Sequence, residues 1–343
     1  MQAMTVVPGR PDTAATSWLP EPGADDGDVL VEGLAVGICA TDREIVRGGH
    51  GSPPPGQRNL VLGHESLGRV LSAPDGDIAV GDLVVGIVRR PDDCSCCRAG
   101  NWDFCRTGNY LERGIEGAHG YGSERWRAPA EYLVRVAPDL ADTGVLLEPT
   151  SVVAKAWEQI DHIRGRSGHD GRTALITGAG PIGLLAALLA VQRGYETHVY
   201  DRVEGGTKPD LVRALGGTYH CGEASDLPVR PDAVVEATGA ASLLADLVNL
   251  VAPNAVICLT GISTGTRAVL PGDELNNRLV LRNGVVLGSV NAARRHYEQA
   301  GAALAAADQD WLHRLLNRRV PLANWPAALD RRTDDVKVVV DLT

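Results

Sequence analysis

Lysine is scarce in this chain of 343 residues, standing only at Lys155, Lys208 and Lys337, and phenylalanine occurs once, at Phe104. Arginine supplies the remaining cationic charge, a bias of coding composition that says little about activity. A basic surplus is also missing: 33 Lys and Arg against 43 Asp and Glu leave a formal charge of −10 and a pI near 5.4. Without a basic stripe there is no nucleic-acid footprint and no attraction to anionic lipid. Long apolar runs are absent too, since the most apolar stretch, Ile182 to Val191, is only about ten residues and too short to span a bilayer. The first residues, Met1-Gln2-Ala3-Met4-Thr5-Val6-Val7, lack the basic-then-apolar pattern of a secretory signal, so a soluble cytoplasmic protein is expected.

What is present begins with cysteine. There are seven, an odd number, and four of them crowd between Cys94 and Cys105. That fits metal binding in a reducing compartment better than a disulfide framework. Cys94, Cys96, Cys97 and Cys105 are candidate ligands of a structural zinc, because four thiolates close a tetrahedral site. Adjacent Cys96 and Cys97 cannot easily face one ion, which leaves three thiolates with Asp92 or Asp93, or no metal, as alternatives.

A second grouping lies upstream. Gly37-Ile38-Cys39-Ala40-Thr41-Asp42 and Leu62-Gly63-His64-Glu65 offer a thiolate, an imidazole and a carboxylate to one ion. A catalytic zinc needs such ligands plus a vacant position where a substrate oxygen can lose its proton near neutral pH. Taken singly, Cys39 would read as a small core residue and His64 as an ordinary hydrogen-bonding one. Their joint appearance with Glu65 and Thr41 points to an open zinc site.

The length suggests two domains. Up to about residue 150, short β-like runs such as Asp28 to Val36 and Leu83 to Val88 are broken by Gly, Pro and Asp, which predicts an all-β, barrel-like domain. Ser52-Pro53-Pro54-Pro55-Gly56 is a surface loop. Beyond Glu158, strands and helices alternate: strand 173–177, helix 182–193, strand 197–200, strand 232–236, helix 243–251 and strand 255–259. This βαβ series predicts a parallel sheet covered by helices. From about Asn291 the tail holds an Ala-rich helix, Tyr297 to Ala307, and a β-like ending, Val336 to Val340, expected to pack back on the first domain.

Gly178-Ala179-Gly180-Pro181-Ile182-Gly183 sits between a predicted strand and a predicted helix, the setting in which a glycine loop receives a pyrophosphate. Asp201 ends the next strand, where a carboxylate accepts from the ribose hydroxyls of NAD and repels the extra phosphate of NADP. Arg202 pulls the other way, because a guanidinium can grip that phosphate. NAD is favoured and NADP use is kept open.

The combination resembles the zinc-containing medium-chain dehydrogenases, and within them the glucose 1-dehydrogenase branch, over nearly the whole chain. The resemblance is carried by Cys39 to Ile45, Leu62 to Gly68, Leu147 to Lys155, Gly288 to Asn291 and Asp334 to Val339. It implies an α/β fold with a GroES-like β-barrel catalytic domain over 1–155, a Rossmann doubly wound parallel-sheet domain over 156–290, and a segment 291–343 returning to the first. It implies catalytic zinc ligation by Cys39, His64, Glu65 and Glu148, with one carboxylate exchanging with water or substrate, and proton relay by Thr41. Glu112 and Asn291 match sugar-binding positions, and His296 is a weaker candidate. Thr260, Gly261, Ile262, Ser289, Val290 and Asn291 match the lining of the cofactor. The expected activity is oxidation of an aldose, foremost D-glucose, at the anomeric hydroxyl to the aldonolactone with hydride transfer to NAD(P). A dehydrogenase of a cyclitol, aminocyclitol or polyol is the nearest rival, and a non-catalytic nucleotide-binding protein the remote one. A homo-oligomer, dimer or tetramer, is also implied, with Gly284 to Gly288 as a candidate joining edge. The departures are the lost first cysteine of the structural-zinc pattern, which would fall on Pro91, and Asp201-Arg202-Val203 where relatives carry a small residue followed by arginines.

Overall fold

The β-branched runs of the first 150 residues become strands in the computed structural model, which describes residues 1–263 and 268–343. The chain divides into two compact units, one of Met1–Ser151 with Asn291–Thr343, the other of Val152–Val290.

In the first unit the main sheet has seven strands, built around the long strand Val29–Ile38. Glu65–Ser72 and Val338–Asp341 flank that strand, both antiparallel to it, so residues from the head, the middle and the tail of the sequence lie side by side. Register puts Gly37 opposite Glu65 on one side and opposite Val339 on the other. The reason for a glycine is steric: a Cβ there would stand 2.1 Å from Glu65 Oε2 and 2.8 Å from Lys337 Cε. Beneath lies a core of Met4, Val36, Ile38, Ile45, Leu60, Leu62, Trp325 and Val340. A smaller sheet pairs Arg89–Arg90 antiparallel with Leu111–Arg113, setting Arg89 across from Glu112. Ser52 lies in an extended stretch bridged to Glu116.

The tail contains more than its composition announces. The Ala-rich helix runs Arg294–Ala305, a second helix, Gln309–Leu315, follows with Asp308 accepting from Trp311 N at 3.0 Å, and the strand Arg318–Pro321 runs parallel to Val338–Asp341. The helix starts before Tyr297 because His296 Nδ1 accepts from Ala293 N at 3.0 Å, a capping contact that no composition rule for helix starts includes.

Among the described residues, the second unit holds one parallel sheet of six strands. Its spatial order is Thr218–His220, Glu196–Tyr200, Thr173–Thr177, Ala233–Glu236, Val256–Leu259, Val285–Gly288. Counting along the sequence this is 3-2-1-4-5-6, the doubly wound order with its reversal beside the first strand. Strands buried on both faces read as continuous apolar runs, as Ala233-Val234-Val235 does here. The most apolar stretch of the sequence is the helix Pro181–Gln192, with Gly183 to Ala190 all buried. Among the described residues no helix is long and apolar enough to cross a membrane.

Glycine is required twice at the turn into that helix. Gly178 has φ +89°, and a Cβ on Gly183 would lie 1.7 Å from Gly178 O. Gly183→Ala must therefore push strand and helix apart, lowering the unfolding free energy by about 1–3 kcal/mol. The denaturant midpoint measures this, and an unchanged midpoint would show that the turn is looser than described.

Candidate active site

Cys39 is the cap residue of the helix Ala40–Arg47. Its Sγ accepts from Thr41 N at 3.1 Å, while Asp42 Oδ2 accepts from Cys39 N at 2.9 Å. This reciprocal arrangement fixes the thiol at a helix N-terminus, where the dipole favours negative charge. His64 arrives on the turn before Glu65–Ser72, and Gly63 with φ +95° makes that turn. A Cβ on Gly63 would meet Val36 Cγ1 at 2.8 Å, so the close approach also demands glycine.

The imidazole is held from both ends. His64 Nε2 stands 3.1 Å from Cys39 Sγ, and Nδ1 stands 3.4 Å from Asp42 Oδ1. Burial would push His64 down, but Cys39 and Asp42 beside it hold it well above its ordinary value. Burial likewise disfavours the charge on Asp42, yet His64 and the Cys39 N–H keep that carboxyl below the usual range. Glu65 Oε2 meets Lys337 Nζ, an ion pair 3% and 1% exposed.

Donor atoms of Cys39, His64 and Glu65 lie within 4.8 Å of one another. A soft thiolate, a neutral imidazole and a carboxylate at such spacing suit zinc, and a carboxylate behind the histidine is the usual orienting partner. Glu148, in the first turn of the helix Leu147–Arg164, is buried and feels the charges of His64 and Glu65, but it is not one of the three clustered donors. Burial pushes its carboxyl up to about 7. Thr41 is half-buried, with its backbone on the Cys39 sulfur.

Glu112 and Asn291 are brought together, Asn291 Nδ2 donating to Glu112 Oε1 at 2.7 Å. Arg89 joins them, donating from Nε at 3.1 Å and Nη2 at 2.8 Å to the same oxygen. His296 is fully buried and occupied in the capping contact with Ala293.

The downstream cysteines form a separate cluster of Asp92, Cys94, Cys97 and Cys105. Cys96, counted among the candidate zinc ligands by sequence, is outside it. Cys96 and Cys97 are successive residues of the short helix Ser95–Arg98, which turns them to different faces, and Asp92 takes the fourth place. Cys105 Sγ lies 3.5 Å from Asp92 Oδ2 and 4.0 Å from Cys94 Sγ. Burial and Asp92 push the Cys97 thiol far up.

In the second unit, the glycine loop, Asp201, Thr260 to Ile262 and Ser289-Val290 all follow the C-terminal ends of parallel strands, where open α/β sheets receive ligands. Asp201 Oδ2 accepts from Ala179 N at 2.7 Å and from Lys208 Nζ at 3.3 Å, and Oδ1 accepts from Val203 N at 3.2 Å. Burial works against its charge, but Ala179 N–H and Lys208 keep the carboxyl below its ordinary value. Arg202 is exposed. Gly180 and Pro181 are the cap and first residue of the helix that the loop opens, followed by Ile182 and Gly183. Thr260 N donates to Glu236 O at 2.8 Å, Gly261 packs on Gly239, and Ile262 is exposed. Val290 O accepts from Lys155 Nζ at 2.9 Å, and the Ser289 hydroxyl is buried.

Sequence reading assigned no role to Asp42, Lys337, Arg89 or Lys208. Asp42 had one available signal, an acid three residues past a cap position, which is the capping-box pattern. The others depend on strand register or tertiary contact, which no local motif reports.

Residues 25–139 match the alcohol dehydrogenase GroES-like domain, and residues 141–342 match the glucose dehydrogenase C-terminus. Glucose 1-dehydrogenase of Thermoproteus tenax is 40% identical over 349 residues, covering 100% of this chain and 99% of that protein. Glucose 1-dehydrogenase 2 of Vulcanisaeta moutnovskia is 38% identical at the same coverage. Among solved structures, Haloferax mediterranei glucose dehydrogenase in complex with NADP, Zn and gluconolactone superposes with a TM-score of 0.93 at 33% identity, covering 100% of this chain and 99% of that one. The chain belongs to the glucose dehydrogenase family of the zinc-containing medium-chain dehydrogenases.

Glu148 carries a pH dependence of stability. Its folded-state pKa near 7 lies above the ordinary 4.5, so between these values the folded protein binds a proton that the unfolded chain has released. Metal-free protein should lose stability as pH rises from about 4.5 to about 7. Glu148→Gln should flatten that slope by roughly 2–4 kcal/mol, read from denaturant titrations across the range. A slope that persists in the variant would place the proton on another group.

Proposed function

We propose that this protein oxidises an aldose, foremost D-glucose, at the anomeric hydroxyl to the aldonolactone, passing a hydride to NAD(P). The observation that carries the reading is the convergence of Cys39, His64 and Glu65 in one buried cluster. The binding of NADP, Zn and gluconolactone by the Haloferax relative, which matches this chain over its whole length, supports it.

Cys39, His64 and Glu65 hold zinc in this reading, with Glu148 as a further carboxylate, and Asp42 fixes the His64 ring. Bound zinc supplies Lewis acidity at the substrate oxygen, and bound nicotinamide supplies the hydride acceptor. Thr41 takes the hydroxyl proton towards solvent. Glu112 and Asn291 orient the sugar ring, and orientation accounts for much of the remaining rate. The glycine loop Gly178 to Gly183 receives the pyrophosphate, Asp201 the ribose, and Thr260 to Ile262 with Ser289 to Asn291 line the nicotinamide. Residues 1–155 and 291–343 form the catalytic domain and 156–290 the cofactor domain. Asp92, Cys94, Cys97 and Cys105 hold a second, structural zinc, closed by four ligands. A cytoplasmic homo-oligomer completes the reading. Val285–Gly288 is the edge strand of its sheet, with exposed Val280 and Leu281 on the helix before it, a surface suited to a second copy.

The test is a panel of aldoses and inositols assayed by absorbance of the reduced cofactor, with NAD and NADP side by side. D-glucose should be turned over, and Cys39→Ser should lose zinc content and turnover together, the latter by about 100-fold or more. Zinc-loaded protein inert towards every aldose, or an undiminished Cys39→Ser, would sink the reading.

Cofactor choice has its own test. Asp201→Ala removes the ribose acceptor and the charge that repels an added phosphate. The ratio of kcat/KM with NADP to that with NAD should rise roughly tenfold to a hundredfold. An unchanged ratio would mean that Asp201 only braces the glycine loop.

A further inference from the structure

Arg89 is 3% exposed, and its burial needs an explanation beyond a surface ion pair. Its guanidinium is spent in three directions. Nε and Nη2 both donate to Glu112 Oε1, Nη1 donates to Trp102 O at 3.3 Å, and the plane lies 3.6 Å over the Tyr110 ring. Strand pairing sets the contact, because Arg89 and Glu112 are directly opposite in an antiparallel ladder. Asn291 adds a third donor to Oε1, and its orientation is fixed in turn by Ala292 N donating to Asn291 Oδ1 at 2.7 Å. Asn291 takes φ +60° to do this, a left-handed conformation that asparagine tolerates better than most residues.

The bonds are unevenly shared. Oε1 receives three donors, whereas no described residue donates to Oε2, and the Glu112 side chain is 14% exposed. No described residue accepts from the second N–H of the Asn291 amide. Two rigidly held groups thus present one acceptor and one donor, which suits a ring hydroxyl able to give one hydrogen bond and take another.

We propose that Arg89 is a positioning residue that sets hydroxyl specificity: by occupying Oε1 from two nitrogens it leaves Oε2 as the one acceptor Glu112 can offer a sugar. Arg89 touches no substrate. It converts a mobile carboxylate into a fixed one, and an aldose lacking the matching hydroxyl leaves that oxygen desolvated without a partner. This rests on the reading of the protein as a sugar dehydrogenase with Glu112 at the sugar.

The experiment compares parent, Arg89→Met, Arg89→Lys and Glu112→Gln on D-glucose and its 2-, 3-, 4- and 6-deoxy analogues, with melting temperature and zinc content recorded. In the parent, removal of one particular hydroxyl should cost roughly tenfold to a hundredfold in kcat/KM. Arg89→Met should raise KM for glucose by a similar factor with kcat little changed, and the penalty for that one analogue should collapse towards unity. Glu112→Gln should lose the same penalty, and the double variant should be no worse than either single one. Arg89→Lys, which keeps the charge but not the paired donors, should fall between parent and Arg89→Met, and it decides the matter if the methionine variant does not fold. A fully folded Arg89 variant that retains the parent's penalty, or one whose loss is entirely in kcat, overturns the proposal alone. A zinc-loaded parent that oxidises no aldose overturns the sugar reading and takes the proposal with it.

Discussion

Charge buried next to charge is the constraint from which most of the first unit follows. Asp42, His64, Glu65 and Lys337 are each 5% exposed or less, and an uncompensated ion in such surroundings costs several kcal/mol. Each therefore has an opposite partner: Asp42 against His64, Glu65 against Lys337. The partners come from three separate parts of the sequence: Asp42, the adjacent pair His64-Glu65, and Lys337. Holding them together requires the long strand Val29–Ile38 in the middle, Glu65–Ser72 on one side and the C-terminal strand on the other. It also requires a gap in that middle strand, which Gly37 provides. The return of the chain end to the first unit is thus a condition of the site, since it delivers Lys337.

The same cluster explains why these residues could accept a metal without rebuilding. Cys39 and His64 already face each other, and the helix cap and Asp42 already hold both. An ion placed among them would take the Cys39 sulfur and the His64 ring as ligands, leaving the orienting hydrogen bonds intact. Lys337 meanwhile balances the charge of Glu65.

Much of the architecture was legible because its signals are local. The change from broken β-runs to strand–helix alternation near residue 158 locates the parallel sheet, and the spacing of Gly178, Gly180 and Gly183 locates the turn from its strand Thr173–Thr177 into the helix Pro181–Gln192. Cys39, His64 and Glu65 stood out because a thiolate, an imidazole and a carboxylate, with Thr41 beside them, occur together in two short segments. What was not legible is cross-strand. Arg89 opposite Glu112 is a fact of register between two- and three-residue strands, too short to show periodicity. The substitution of Asp92 for Cys96 depends on which way one helical turn faces, and a count of cysteines is blind to that.

Lysine scarcity acquires a physical meaning from the structure. All three lysines are 9% exposed or less, and each ammonium has an assigned oxygen: Lys155 on Val290 O, Lys208 on Asp201, Lys337 on Glu65. At an exposed position arginine serves as well as lysine, so a compositional bias can replace one by the other at little cost. At a buried position the two differ, because a guanidinium carries five donors in a fixed plane and an ammonium is a compact point charge. A compact ammonium on an unbranched stem fits where the fork does not. The three lysines are thus all buried, and two of the three hold carboxylates at the proposed metal and ribose positions.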